Sequence, residues 1–188
     1  GSRIDFVDGY SGTKLGKQAG LNTGTGTENT YIGNLAGRGG SGNDAYNTGI
    51  GSFALYAITD GNSNVAVGID VGTALTTGDN NMLIGRQAGN TMTGTSNTIL
   101  IGYGAGTAIN STDADGTVAI GYKSLEDLTD GAYNVALGYQ SGKNITTGDA
   151  NTTLGYNAGA TLLDDNNNVL IGYKAGESSV ASNTVAIG

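Results

Sequence analysis

Residues 134–142 read NVALGYQSG, residues 151–159 read NTTLGYNAG, and residues 168–176 read NVLIGYKAG. The phrase recurs at a spacing of seventeen. Anchoring each copy on the Gly that follows an aliphatic residue gives Gly16, Gly33, Gly51, Gly68, Gly85, Gly102, Gly121, Gly138, Gly155, Gly172 and Gly188. The intervals between anchors run from 16 to 19 residues, and most are 17. Eleven registers fill the chain with no linker, so residues 3–188 read as one continuous array of stacked units. The opening Gly1-Ser2 reads as a cloning scar on a piece of a longer protein.

Each column of the array has its own chemistry. The residue before the anchor is aliphatic in every copy, as in Val67, Ile84, Ile101, Ile120, Leu137 and Ile171. Two residues earlier stand Val65, Met82, Ile99, Val118, Val135 and Val169. Alternation in a strand places these two columns on one face, which predicts a short strand with both pointing into the core. Three residues after the anchor the side chain is small, as in Ala88, Ala105, Ser141 and Ala158. Seven after it a second aliphatic column appears: Ile58, Leu75, Met92, Ile109, Leu128, Ile145 and Leu162. Read as a second strand, that column gives two strands and two turns per copy, with TTGDNN (76–81) and TTGDAN (146–151) as turns. The strong columns lie eight and nine residues apart. That spacing favours a flattened two-sheet roll over a three-faced hexapeptide helix.

The residue between the two strand columns is also apolar: Ala66, Leu83, Leu100, Ala119, Ala136, Leu170 and Ala186. A strand apolar on both faces is buried on both. Because the roll is thin, another chain must supply the second cover, and the expectation is an oligomer packed through this strand.

Composition limits the function. The chain has 188 residues, 35 of them Gly, with no Pro, Trp, Cys or His. Helical bundles and disulfide or thiolate-metal chemistry are thereby excluded, and the usual general base is missing. Eight Lys and Arg against sixteen Asp and Glu leave a net charge of −8, which argues against nucleic acid or an anionic membrane surface as partner. Membrane insertion by this chain is not expected, since no stretch approaches a spanning length.

The copies NTYIGNLAG (29–37), NVAVGIDVG (64–72), NVALGYQSG (134–142) and NTTLGYNAG (151–159) resemble the collar and shaft repeats of bacteriophage tail-fibre proteins. Many of those proteins end in an endosialidase-type chaperone. The core SNTVAIG (182–188) is also similar to the head repeats of YadA-like trimeric autotransporter adhesins, whose repeats are shorter. The resemblance implies an all-β parallel β-solenoid, or left-handed β-roll, of about eleven 17-residue coils, homotrimeric and extracellular. It implies a structural segment of a fibre that attaches to a host or cell surface, from a phage tail or alternatively a bacterial adhesin. The expected partners are the chain itself and a surface glycan or protein receptor, and no enzymatic activity is expected.

Two groups of residues are candidate sites. Just after the anchor stand Tyr103, Tyr122, Tyr139, Tyr156 and Tyr173, which would either contact glycan or line the trimer interface. Asp113 and Asp115 in STDADGT (111–117) are the best Ca²⁺ candidates, but the bidentate Glu of an EF-hand loop is missing, and turn formation alone accounts for them. No cofactor is otherwise expected. Asn29, Asn47, Asn64, Asn81, Asn134, Asn151 and Asn168, four before their anchors, predict a side-chain amide ladder. Ice binding would need a flat Thr-x-Thr array, which only Thr91 and Thr93 offer on the second strand. Carboxylate pairs able to cleave glycan do not stand out from the repeat.

Overall fold

The computed structural model describes residues 4–5, 12–178 and 181–188. The proposed scar, residues 1–2, lies outside them. Twelve strands form one sheet in sequence order. They are β1 (Ile4–Asp5), β2 (Gly12–Leu15), β3 (Asn29–Ile32), β4 (Thr48–Ile50), β5 (Val65–Val67) and β6 (Met82–Ile84). The second half comprises β7 (Ile99–Ile101), β8 (Val118–Ile120), β9 (Val135–Leu137), β10 (Thr152–Leu154), β11 (Val169–Ile171) and β12 (Val185–Ile187). Strands β2 to β12 are parallel, and β1 pairs antiparallel with β2. Equivalent positions of successive copies are direct partners, as in Ala119↔Ala136 and Thr153↔Leu170. The molecule is a parallel β-solenoid with one repeat per turn.

Among the described residues only one strand forms in each turn, which corrects the two-sheet expectation. The column seven after the anchor is buried as expected, from Ile58 to Leu162, but it sits in irregular backbone directly after a turn rather than in a strand. Left-handed residues just upstream prevent an extended backbone there. In one copy these are Gln87 (φ 62°) and Gly89 (φ 57°). The turn side is still hydrogen-bonded from coil to coil: Gly72 N donates to Ala88 O at 3.0 Å and Gly89 N to Ala105 O at 3.0 Å. Backbone satisfaction therefore needs no second sheet.

The two faces of the strand are also the reverse of the sequence expectation. Ala66, Leu83, Leu100, Ala119, Ala136, Thr153 and Leu170 point inward and are fully or almost fully buried. The columns on either side of them point outward and are half-buried or exposed. Ile120, expected in the core, thus lies on the outer surface and Ala119 beside it lies inside. In a three-residue strand a single inward position sits between two outward ones.

Inside the solenoid, bulk is traded between columns. Leu55 and Leu125 occupy the position four after the anchor where most copies have Gly, and they do so beside Gly49 and Ala66 or Ala119 and Ala136. Where the strand carries Leu83 and Leu100, that position is Gly72, Gly89 and Gly106 instead. A Cβ on Gly106 would come within 2.9 Å of Leu100. Such compensation keeps the core close-packed despite imperfect repeats.

Anchor glycines stack directly on one another. A Cβ on Gly138 would lie 2.5 Å from the carbonyl oxygen of Gly155, and φ at Gly138 is +138°. Both space and dihedral demand glycine. The longest copy absorbs its extra residues as a 3₁₀ turn, Thr112–Ala114, in which the Asp113 N–H donates to Ser111 Oγ at 3.1 Å.

Candidate functional site: the outward face of the sheet

Across β5 to β12 the outer face carries two aliphatic rows. One runs through Val65, Met82, Ile99, Val118, Val135 and Val169, broken by Thr152 in β10, and the other, unbroken, through Val67, Ile84, Ile101, Ile120, Leu137, Leu154 and Ile171. Several of these large apolar side chains stand in solvent, among them Met82, Ile99, Val135, Leu137 and Leu154. A contiguous apolar strip of this kind on a folded chain marks an interaction surface.

Beside it, across the anchor glycines, runs the tyrosine row. Adjacent rings from Tyr103 to Tyr173 have centroids 5.4, 4.9, 5.3 and 5.3 Å apart and lie within 9–12° of parallel. The parallel in-register stacking of coils places them so. Each inner ring therefore turns its faces to neighbouring tyrosines and shows solvent mainly its edge and hydroxyl. Sugar rings stack on aromatic faces, so the geometry is poor for the glycan contact considered from sequence. Arg86 covers the first ring, at 5.8 Å from the Tyr103 centroid. Lys123 and Lys174 approach Tyr122 and Tyr173, also at 5.8 Å. Lys123 pairs with Glu126 at 2.7 Å, and this hydrogen bond holds its ammonium above the usual lysine range. Glu177 does the same for Lys174.

The two borders of the sheet differ in charge. On the turn that enters the strand lie Asp60, Asp79, Asp113, Asp115, Asp130, Asp149, Asp164 and Asp165. The turn after the strand carries both signs: Lys17, Arg38, Arg86, Lys123, Lys143 and Lys174 lie there among Asp70, Glu126, Asp127 and Glu177. Several of the entry-side carboxylates, read from the sequence as turn formers, accept from the backbone of the preceding coil. Asp79 Oδ1 accepts from Asn62 N at 2.6 Å, Asp115 Oδ1 from Ser96 N at 2.6 Å, and Asp149 Oδ1 from Ala132 N at 2.8 Å. The only local clue is the recurrence of Asp, Asn or Ser six residues before the anchor. Asp113 sits in the 3₁₀ turn and Asp115 in this row, and no group of three or more potential metal ligands occurs among the described residues.

One buried polar pair escaped sequence reading altogether. Tyr31 takes the inward strand position and donates its hydroxyl to Asp44 Oδ2 at 2.6 Å. Both side chains are fully buried, and Asp44 Oδ1 has no hydrogen-bond partner among the described residues. Burial pushes the Asp44 carboxyl above the ordinary carboxylate range, offset in part by the Tyr31 hydrogen bond and by the charge of Lys14. Burial, then the Asp44 charge, pushes the Tyr31 phenol up as well. The ring fits because its neighbours are Gly37 and Gly49.

Comparison with protein-family models, curated proteins and solved structures finds no match to this chain. No helix among the described residues is long and apolar enough to cross a membrane.

Proposed function

We propose that the chain is a structural segment of an extracellular attachment fibre, of the phage tail-fibre kind, assembled as a homotrimer with further copies covering the outward face of the sheet. The observation that carries this reading is the pair of aliphatic rows on that face, from Val65 and Val67 to Val169 and Ile171, half-buried at best in the single chain. Charge supports copies of the same chain as the cover. When chains run in the same direction about a common axis, the end of each strand meets the start of its neighbour's. The border after the strand, which holds the lysines and arginines among a few carboxylates, then meets the acidic entry border of the next copy, whereas an antiparallel pairing would set two acidic borders together. The tyrosine row runs along the border after the strand and adds rings of low ordering cost to the contact.

A projecting shaft also needs stiffness along its axis, and the side-chain rows supply it. Thr59 Oγ1 donates to Thr76 O at 3.0 Å and Thr76 Oγ1 to Thr93 O at 2.9 Å. Thr91 Oγ1 donates to Ile109 O at 2.8 Å. Hydroxyls used in this way bind coil to coil instead of presenting an ordered array to ice, which favours the shaft over the ice-binding alternative. The receptor is a host or cell-surface glycan or protein. Sedimentation equilibrium tests the assembly: three times the 18.7 kDa chain mass is expected at micromolar concentration. A stable monomer under those conditions overturns it.

A further inference from the structure

We propose that the tyrosine row is a site of oxidative coupling, at which a one-electron oxidant of the peroxidase–hydrogen peroxide class joins tyrosines of successive coils as dityrosine. The inference rests on ring geometry within one chain and not on the fibre reading. Five phenols stand in line with neighbouring centroids 4.9–5.4 Å apart. In the single, dissociated chain they are 38–69% exposed, so each ring has room to tilt out of the stack and bring an edge to its neighbour's edge.

The chemistry balances as follows. Each phenol gives up one electron and its proton, leaving a phenoxyl radical with spin on the ring carbons next to the oxygen. Two neighbouring radicals form a carbon–carbon bond between those carbons. Each bonded carbon then loses its hydrogen to water while its own oxygen regains a proton. Net, two tyrosines lose two hydrogens, and hydrogen peroxide accepts two electrons and two protons to become two waters.

Contact, not exposure, selects the partners. Tyr46 and Tyr133 are 59% and 70% exposed, yet among the described residues neither has an aromatic ring beside it. Tyr122 and Tyr139 form the closest pair, at 4.9 Å. Each link would clamp two adjacent coils covalently and so resist unwinding of the solenoid from that end.

Dilute protein oxidised with photogenerated tris(bipyridyl)ruthenium(III), then digested and mapped by mass spectrometry, tests the proposal. The expected products are chain-internal links between neighbouring members of the row, each lighter by two hydrogens, with Tyr122–Tyr139 the most abundant. The double variant Tyr122→Phe/Tyr156→Phe leaves Tyr103, Tyr139 and Tyr173 without adjacent partners while keeping the other eight of the ten tyrosines. Chain-internal coupling should disappear in it and persist in Tyr46→Phe/Tyr133→Phe. Links only between chains, links at Tyr46 or Tyr133 as frequent as those in the row, or undiminished internal coupling in Tyr122→Phe/Tyr156→Phe would each overturn it.

Discussion

Asn64 and Asn81 share one oxygen: the backbone N–H of Asn81 donates to Asn64 Oδ1 at 3.0 Å and its Nδ2 donates to the same atom at 2.9 Å. Asn64 relates to Asn47 in the same way, and its own Nδ2 also reaches Gly78 O at 2.8 Å. The amide ladder expected from the sequence runs through Asn29, Asn47, Asn64 and Asn81 to Thr98, then from Asn134 through Asn151 and Asn168 to Thr184. All of this is buried except its last rung, so each member is worth the groups it satisfies. Asn64→Ala strands the buried backbone N–H of Asn81 and should cost about 1–3 kcal/mol, read from chemical denaturation.

Gly138→Ala should be worse than an ordinary surface change although it adds one methyl group. The positive φ alone costs about 1–3 kcal/mol in a side-chain-bearing residue, and the stacked carbonyl of Gly155 must also move. A melting temperature equal to wild type would show that the anchor stack tolerates a gap.

Asp44 gives the fold a pH dependence with a definite sign. Burial raises its folded carboxyl above the ordinary carboxylate range, so its contribution to stability is fully present in acid, below the range in which an unfolded Asp titrates, and is lost as pH rises through the raised value. Asp44→Asn should therefore gain on wild type as the pH climbs from acid to neutral, because the amide keeps an acceptor for Tyr31 without a charge. Thermal melts of both proteins from pH 4 to pH 8 check this; parallel pH profiles would contradict it.

Leu100→Ala and Ile120→Asp separate folding from association. The first empties a fully buried site and should cost about 2–5 kcal/mol. Asp at position 120 points outward and should leave the single chain folded, with a propensity cost under about 1 kcal/mol. It should nevertheless abolish assembly by burying an unpaired charge between copies. Light scattering and circular dichroism on the same samples distinguish the two effects.

The period, the strand positions and the amide ladder were legible because each repeats at a fixed distance in the sequence. Which face of the strand points inward was not. All three residues of strands such as Met82–Ile84 and Ile99–Ile101 are apolar, so no alternation marks a face. The column from Ile58 to Leu162 looked like a strand because burial alone repeats there, while the left-handed residues that bend it include Phe53, Gln87, Lys123 and Gln140, whose side chains do not announce such a backbone. The outward location of the tyrosine row follows from the register, but its face-to-face stacking required coordinates. The buried Tyr31–Asp44 pair occurs once and leaves no trace in any column.

Thiol reactivity of single cysteines tests the outward-face assignment most directly, since the chain has no cysteine of its own. Ala136 and Leu137 are adjacent, one buried and one exposed. In folded protein the Ala136→Cys variant should resist a thiol reagent at every concentration. The Leu137→Cys variant should react readily in dilute, dissociated protein and become protected as the concentration is raised into the assembled range. Reaction of Ala136→Cys without unfolding, or equal reactivity of Leu137→Cys at both concentrations, would contradict an inward core row and an outward face covered by copies of the chain.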